Sequence, residues 1–362
     1  MKRKLTSLVA LAACAGAPMA AQAQSNTAAQ NGNGDPPKEV SRVGQSATIY
    51  GRIDLSADYS KNGSVSQMQL RDNASRLGFR GTEDLGGGLV GTFGLEMGIN
   101  ADSGLPTTPF FRNSYVGLVG GFGAFAMGRL DSANPTGSPI YTLVTRHSEF
   151  VIHDAGATAV GTSVLNARNR VSNAFGYQSP YFADLVFRAR YYMNGEGVTE
   201  SATGPIRFES DFKQFDVSLS YEPQGPLGLG IGYGKDDRRG GIPTNGFKDK
   251  WLAVAGYNFG PVRAWAIVGQ DNYNGTATTR NKVDIRYIGA SAPLPIGKVS
   301  ANYSTRDVQT DRNGQLTKFS IGYSYPLSKR TQLFAIYDQQ DPNNKVVDNT
   351  LRTVSLGIQH NF

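Results

Sequence analysis

The sequence contains a single cysteine among its 362 residues, at Cys14. One cysteine can form neither an internal disulfide nor a metal site built from several thiolates. The sequence also lacks a run of eighteen apolar residues, which excludes a membrane-spanning helix from the body of the chain. Tryptophan is scarce, with 2 residues against 17 tyrosines and 18 phenylalanines, whereas glycine is abundant at 44. Glycine and aromatic residues in short alternating runs favour an all-β protein.

The first 23 residues have the three parts of a secretory signal peptide. Positive charges at residues 2–4 are followed by the apolar stretch Leu5–Ala15 and by the small-residue cleavage site Ala21–Ala23. Cleavage before Gln24 leaves 339 residues (362 minus 23) and removes three positive charges, which lowers the formal net charge from +7 to +4. A charge this mild and dispersed does not indicate a nucleic-acid-binding protein.

The N-terminal region leaves two alternatives open. Leu11–Cys14 also matches a lipoprotein box, in which case Cys14 would carry the acyl groups. Residues 24–44 are rich in glutamine, asparagine, glycine, alanine and proline and have no periodicity, which predicts a disordered tail. This tail is either a periplasmic extension or a spacer.

The segment Ser75–Glu96 has the alternating side chains of a β-hairpin. In its first arm Leu77 and Phe79 share one face, and Arg76 lies on the other. The glycines Gly86–Gly88 form the turn, because glycine adopts positive φ without steric cost. The polar face carries arginines and a glutamate next to small residues. This pattern is typical of strands with one face in lipid and the other in a water-filled lumen.

Similar alternation recurs along residues 45–362 and predicts sixteen antiparallel strands, beginning with Ala47–Ser60 and including Arg112–Gly120. Short turns alternate with longer polar connections, as in an outer-membrane barrel, and an even strand number places both termini on the short-turn side. Residues 131–170 contain no clean strand, and a connection of that length is usually functional or disordered. A soluble β-sandwich with similar alternation is the alternative.

Several blocks of the sequence match one known family. They are "TIYGRIDLS" at Thr48–Ser56, "SRLGFRGTEDLGGGL" from Ser75, "NSYVGLVGGFGAFAMGR" at Asn113–Arg129, "LSKRTQLFAIYD" at Leu327–Asp338 and "GIQHNF" at Gly357–Phe362. In this order they resemble the trimeric general porins of Gram-negative outer membranes, of the neisserial or β-proteobacterial type. The resemblance covers nearly the whole chain after the leader. Residues 24–44 depart from it, since these porins usually begin their first strand soon after the cleavage site.

The resemblance implies an all-β protein, a 16-stranded antiparallel transmembrane β-barrel whose third external loop, at 131–170, folds inward and narrows the lumen. It also implies a homotrimer that is exported through the periplasm to the outer membrane and contacts outer-membrane lipid and lipopolysaccharide. The ending at Phe362 resembles the signal read by the outer-membrane assembly machinery, although a terminal phenylalanine could also simply close the barrel. The resemblance implies no cofactor, no metal, no nucleic acid and no enzyme activity.

The family motifs also assign a constriction of arginines and counter-charges. The arginine positions are matched by Arg76, Arg112 and Arg170. The implied counter-charges are Glu96, Asp131, Glu149 and Asp154. Alternation supports an inward Arg76 and Glu96 but points Arg112 towards lipid, unless a β-bulge shifts the register. Alternation places four further arginines on lumen faces: Arg52, Arg188, Arg190 and Arg286.

A ring of guanidinium groups keeps its charge at any ordinary pH, and in a narrow opening it raises the local concentration of anions. The expected function is passive diffusion of small hydrophilic solutes with a preference for anions. Three alternatives stay open: a channel specific for one anionic nutrient, an adhesin whose external loops bind a host partner, and a barrel enzyme. The enzyme would use a polar loop cluster in which nothing resembles a nucleophile elbow: His147, Ser148, Glu149, His153 and Asp154.

The leader generates a prediction about processing. We expect the mature chain to begin at Gln24, with or without cyclisation of that residue, because the small-residue site ends at Ala23. The intact mass of the purified protein checks this. A diacylated Cys14 in the mature protein would instead establish the lipoprotein alternative.

Overall fold

The computed structural model describes residues 46–131, 136–167, 170–193, 197–201, 204–208, 212–238, 242, 246–275, 282–308, 314–342 and 349–362. The predicted leader with Cys14 and the predicted tail at 24–44 lie outside the described residues, so both remain predictions. None of the helices in the described part of the chain has the length and apolarity needed to cross a bilayer.

One antiparallel sheet accounts for most of the described chain. It contains β1 Ser46–Asn62, β2 Val65–Asp72, β3 Arg76–Gly86, β4 Leu89–Asn100, β5 Leu105–Gly120, β6 Gly123–Leu130, β7 Val171–Gln178, β8 Leu185–Met193, β11 Phe212–Tyr221, β12 Leu227–Arg238, β13 Phe247–Asn258, β14 Arg263–Tyr273, β15 Lys282–Pro293, β16 Lys298–Val308, β17 Gly314–Pro326, β18 Thr331–Asp341 and β19 Leu351–Asn361. A separate hairpin consists of β9 Gly197–Ser201 and β10 Gly204–Phe208. The helices are α1 Pro139–His147 and α2 Val160–Ser163, with a 3₁₀ turn at Gly156–Thr158 between them.

The sheet closes into a barrel because β1 pairs with β19 on one side and with β2 and β3 on the other. β2 pairs with the second half of β1 and β3 with the first half, so they are two segments of one barrel strand. The break lies at residues 73–75, where the Asp72 carboxylate accepts hydrogen bonds from the backbone N–H groups of Ala74 and Ser75. The seventeen strands of this sheet therefore form a sixteen-stranded barrel, as predicted.

Several strand boundaries differ from the sequence prediction by a few residues, and the β9–β10 hairpin was not predicted. Two further differences concern β5 and β2. In the structure β5 begins at Leu105, whereas the sequence prediction placed its start at Arg112. Because proline is unusual inside a strand, Pro106 and Pro109 argued against a strand in this part of the sequence. β2 was missed altogether, since its residues Val65–Asp72 alternate polar and apolar side chains only loosely. Both differences lengthen the barrel wall at the same end.

The two ends of the barrel differ in the length of their connections. Both termini of the described barrel lie at the end with the short connections, which include 121–122, 259–262, 294–297 and 327–330. We call this end periplasmic, because outer-membrane barrels have short periplasmic turns, and the opposite end external. The long connection 131–170 follows β6 at the external end.

The two faces of the wall alternate as the sequence predicted. Along β1 the polar Arg52, Asp54 and Asp58 are buried and point inward, whereas Ile49 is 63% exposed on the outer face. At the periplasmic end, the backbone of Phe362 exchanges two hydrogen bonds with Gly51. A side chain at position 51 would collide with the Phe362 ring. Glycine there therefore lets the last residue seal the barrel.

The segment 136–167 packs inside the barrel through an apolar cluster. α1 begins at the N-cap Ser138 with Pro139 in its first turn, and its apolar face contacts β12 at inward-facing glycines such as Gly230 and Gly232. The cluster joins apolar residues of the segment to six inward side chains of the wall: Leu252, Val254, Trp265, Ile267, Ile285 and Tyr287. The inner wall of β13–β15 is thus largely apolar, and the segment covers it.

The close contact between α1 and β13 predicts the effect of adding one methyl group. In Gly256→Ala the new Cβ would collide with the backbone carbonyl of His147, which cannot rotate away. We expect the end of α1 to move towards the barrel axis, lowering single-channel conductance in planar bilayers. We expect stability to fall by about 1–3 kcal/mol.

Gly225→Ala is the matched control, because its Cβ would meet no atom within 4 Å. Equal conductance and stability for the two variants would contradict the close packing of α1 against β13.

Candidate pore constriction

Three arginines and two carboxylates form a continuous group on the inner wall. Arg112 Nε donates to Glu96 Oε1 at 2.8 Å, and Arg76 Nε lies 3.8 Å from Glu96 Oε2. Asp131 continues the group, 3.6 Å from Arg112 and 3.2 Å from Arg170. The side chain of Arg170 is 27% exposed, against 1% for Arg76, so Arg170 is the more accessible of these two to a passing ion. Five of the residues that the family motifs assign to the constriction therefore lie in one contiguous group.

The inward position of Arg112 depends on a β-bulge. Asn113 pairs with Glu96 and Phe111 with Met97, so Arg112 is the extra residue on β5 between two consecutive pairs. A bulge changes the alternation of the strand beyond it. Simple alternation counted back from the outward valine and leucine of β5 points Arg112 towards lipid, whereas the structure buries it against Glu96.

Next to this group, Asp54 contacts the tip of the inserted segment, and Arg52 lies beside Asp54. Their side chains lie 3.8 Å apart, and Gln359 donates to the same carboxylate from β19. His153 reaches the carboxylate from the segment, with its Nδ1 3.3 Å from Asp54 Oδ2. The ring of His153 also packs edge-on against Phe334. The tip is thereby tied to β1 and β18 of the barrel wall.

The structure pairs two predicted counter-charges with other residues. Glu149 accepts hydrogen bonds from Arg263 at 3.0 Å and from Lys298 at 2.6 Å. Burial by itself raises the pKa of the Glu149 carboxyl, but these two cations outweigh it and hold the pKa below its ordinary value. Asp154 accepts from the Tyr141 hydroxyl and from a backbone N–H of α2. Both carboxylates stabilise the inserted segment instead of facing Arg76, Arg112 and Arg170.

Arg188 and Arg190 are buried on the inner face of β8. Arg190 pairs with Asp216, and Arg188 donates to Glu222 at 2.8 Å. Glu222 lies in a periplasmic turn. Burial raises the pKa of its carboxyl, but Arg188 and Arg146 outweigh this and lower the pKa to about 2. This carboxylate therefore stays ionised near neutral pH.

The lumen prediction for Arg286 was wrong. Arg286 pairs across the sheet with Val268, which is 48% exposed, and it is itself exposed on the outer face. Its neighbours Ile285 and Tyr287 point inward and pack in the apolar cluster. Alternation distinguishes two faces but does not say which faces lipid, and here the inner face is the more apolar. A cation on the outer face costs about 2–4 kcal/mol at mid-membrane and about 0–1 near the interfaces.

The polar loop cluster considered for an enzyme is dispersed. The His147 ring bonds Ser220 at 2.7 Å, and Ser220 in turn donates to Glu222. Among the described residues no carboxylate bonds the His147 ring itself, so none orients the imidazole as the acid of a catalytic triad does. Ser148 bonds a helical carbonyl, and His153 binds Asp54 on the other side of the lumen. Among the described residues no group of three or more His, Cys, Asp or Glu side chains could hold a metal ion.

Sequence reasoning missed a second set of inward cations on β13–β17. The set comprises Lys250, Arg263, Lys298, Arg306 and Lys318. Counted over the ion pairs between described residues, thirteen arginines and lysines share nine carboxylates. In these ion pairs the cations thus outnumber the carboxylates, and the buried carboxylates of Asp154 and Asp236 are not part of the count.

His147 provides a test of how tightly α1 is enclosed. Burial lowers the pKa of His147 from 6.5 to about 4, so the folded protein keeps this imidazole neutral where the unfolded chain protonates it. The unfolded state then binds more protons, and stability falls as pH decreases from 6.5 towards 4. The wild type should lose about 2 kcal/mol more than His147→Gln between pH 7.5 and pH 5.

Urea titrations of both proteins in the same lipid or detergent measure this difference. Parallel losses in wild type and variant would mean that His147 is accessible to protons in the folded barrel.

Comparisons with known proteins agree with this geometry. The family model described as Gram-negative porin matches residues 7–345. The chain is 28% identical to outer membrane porin protein 32 of Delftia acidovorans over 299 residues, covering 80% of this chain and 82% of that protein. It is 26% identical to an outer membrane porin protein of Bordetella pertussis over 347 residues, covering 85% of this chain and 87% of that protein.

Solved structures of outer-membrane proteins have the same fold as this chain. An anion-selective porin from Comamonas acidovorans superposes with a TM-score of 0.66 at 25% identity, covering 88% of this chain and all of that one. OmpT of Vibrio cholerae in a trimer form has the same fold, with a TM-score of 0.61 at 15% identity and coverage of 88% and 99%. Because the family model matches most of the chain and the barrel closes with sixteen strands, the chain belongs to the Gram-negative porin family and forms an outer-membrane β-barrel channel.

Proposed function

We propose that this porin is a passive diffusion channel for small hydrophilic solutes that prefers anions. The single observation that carries the proposal is the excess of cations over carboxylates in the described ion pairs, thirteen against nine. The constriction lies between the wall group Arg76, Arg112 and Arg170 and the inserted segment 136–167. A 25% identical structure named an anion-selective porin supports the sign of the preference.

The proposed selectivity follows from the permanence and position of these charges. A guanidinium does not lose its proton in proteins, so the preference does not depend on pH in the ordinary range. Two unit charges about 4 Å apart interact by about 1 kcal/mol in water and about 4 kcal/mol near a protein surface. Since about 1.4 kcal/mol corresponds to a tenfold ratio, each accessible arginine changes relative permeability by a factor of several. Salt screens this preference, with a Debye length of about 3 Å at 1 M.

The proposed assembly is a homotrimer inserted by the outer-membrane assembly machinery, which reads the strand ending at Phe362. The outer face of the closure region supports the trimer, since it carries apolar side chains of high exposure on three adjacent strands: Ile49 at 63%, Met68 at 77% and Leu356 at 62%. OmpT of Vibrio cholerae, an outer membrane protein with the same fold, is described in a trimer form. The channel requires no cofactor, metal or nucleic acid under this proposal, and it carries out no enzymatic step.

Reversal potentials across a salt gradient test the proposed selectivity. Arg112→Ser and Arg76→Ser should each lower the anion-to-cation permeability ratio by a factor of several, because Glu96 loses a partner. Glu96→Gln should raise the ratio. Lys329→Ser is the matched control, since it removes one positive charge from an exposed periplasmic turn and should leave the ratio unchanged.

Cation selectivity of the wild type at low salt would overturn the proposal. A reversal potential unmoved by Arg112→Ser would remove Arg112 from the ion path while leaving the rest intact. Block of the current by one anionic solute at low concentration would instead indicate a substrate-specific channel on the same fold.

A further inference from the structure

Two tyrosine rings lie flat on the inner wall beside the arginine group of the constriction. The Tyr50 ring covers Gly78 and the Tyr115 ring covers Gly94, since a Cβ at either glycine would collide with the ring above it. Glycine at these two positions lets the rings approach the backbone closely. Both tyrosines are only half-buried, so each also presents part of its surface to the lumen.

Arg80 lies between the two rings. Its guanidinium carbon is 4.9 Å from the centroid of the Tyr50 ring, which is a cation–π contact. In the sheet, Arg80, Gly94 and Tyr115 form one row across β3, β4 and β5, and the Tyr115 ring leans over Gly94 towards Arg80. Arg80 is half-buried as well. The three side chains thus form one lumen-facing surface, which we call the Tyr50–Arg80–Tyr115 surface.

This surface adjoins the constriction on its periplasmic side. The Tyr50 hydroxyl donates to Glu96 Oε2 at 3.2 Å, which links the surface to the arginine group. Along β3, Arg80 is four residues closer to the periplasmic turn than Arg76, or about 14 Å along the strand. A solute that has passed the arginines from outside therefore meets this surface next.

We propose that the Tyr50–Arg80–Tyr115 surface binds aromatic carboxylates and makes them preferred solutes of this channel. The inference rests on the proposed anion preference and names a class of anion within it. The Arg80 guanidinium is planar, so it can pair with both oxygens of a carboxylate while it stacks on the Tyr50 ring. The aryl ring of the solute can then pack on Tyr115 in an offset or edge-on arrangement. An aliphatic carboxylate of equal charge gains the pairing with Arg80 but no contact between aromatic rings.

The test compares benzoate and cyclohexanecarboxylate, two anions of equal charge and similar size, as blockers of the chloride current in planar bilayers. We expect benzoate to block half of the current at a concentration lower by a factor of about three or more, because only benzoate has an aromatic face. Simple apolar attraction would not produce this order, since the saturated ring has at least as much apolar surface.

Substitutions locate the site. Tyr115→Leu should bring the two half-blocking concentrations together, whereas Tyr115→Phe keeps the ring and should retain the difference. Arg80→Lys keeps the positive charge but loses the planar group, so it should reduce the preference for benzoate. Tyr303→Leu is the matched control, because Tyr303 is 46% exposed on the outer face of β16. It should leave both concentrations unchanged, and heat-resistant migration shows that each variant has assembled.

The possible results separate this inference from the proposed function. Equal block by the two anions in a wild type that prefers chloride to potassium would overturn the aromatic site and leave the anion preference standing. A wild type that prefers potassium would overturn the proposed function itself. A benzoate preference that persists in both Tyr115→Leu and Arg80→Lys would also contradict the inference, because the preference would then arise elsewhere in the lumen.

Discussion

The structure depends on one constraint, that a backbone in hydrocarbon must satisfy every N–H and C=O group within the protein. The barrel meets it by pairing β1 with β19 over eleven residue pairs, so the described barrel sheet has no free edge. The terminal residue takes part, since Phe362 exchanges hydrogen bonds with Gly51. Closure also explains why the strand next to β1 is divided into β2 and β3. Because β2 and β3 share one side of β1, a break at residues 73–75 is needed, and the Asp72 carboxylate supplies acceptors there.

Closure creates a lumen, and the lumen is not uniformly polar. On β13–β15 the inward side chains are apolar, and the segment 136–167 covers them with its own apolar face. This packing is a small hydrophobic core inside the barrel, and burying it provides the driving force that keeps the segment inserted. Polar contacts near the middle of the segment then fix its position: Glu149 binds Arg263 and Lys298, and His153 meets Asp54.

The charges of the lumen follow from the same enclosure. Arginines with little exposure are held in place by shared carboxylates, as Glu96 is shared by Arg76 and Arg112. Sharing leaves positive charge uncompensated, because each carboxylate neutralises only one cation. The wall group therefore combines rigidity with a net positive potential. A constriction needs both properties, since a mobile or neutral lining would not distinguish ions.

The sequence by itself determined the all-β class, the sixteen strands and the inward side of Arg76 and Glu96, because period-two alternation is a local property of each strand. It did not determine the side of Arg112, since the bulge arises from how β5 pairs with β4. Nor did it determine the side of Arg286, because both faces of β15 carry apolar residues. Only the tertiary structure decided which face the inserted segment covers. The sequence did not predict the partners of Glu149 either. A segment without periodicity takes its position from the wall on which it packs.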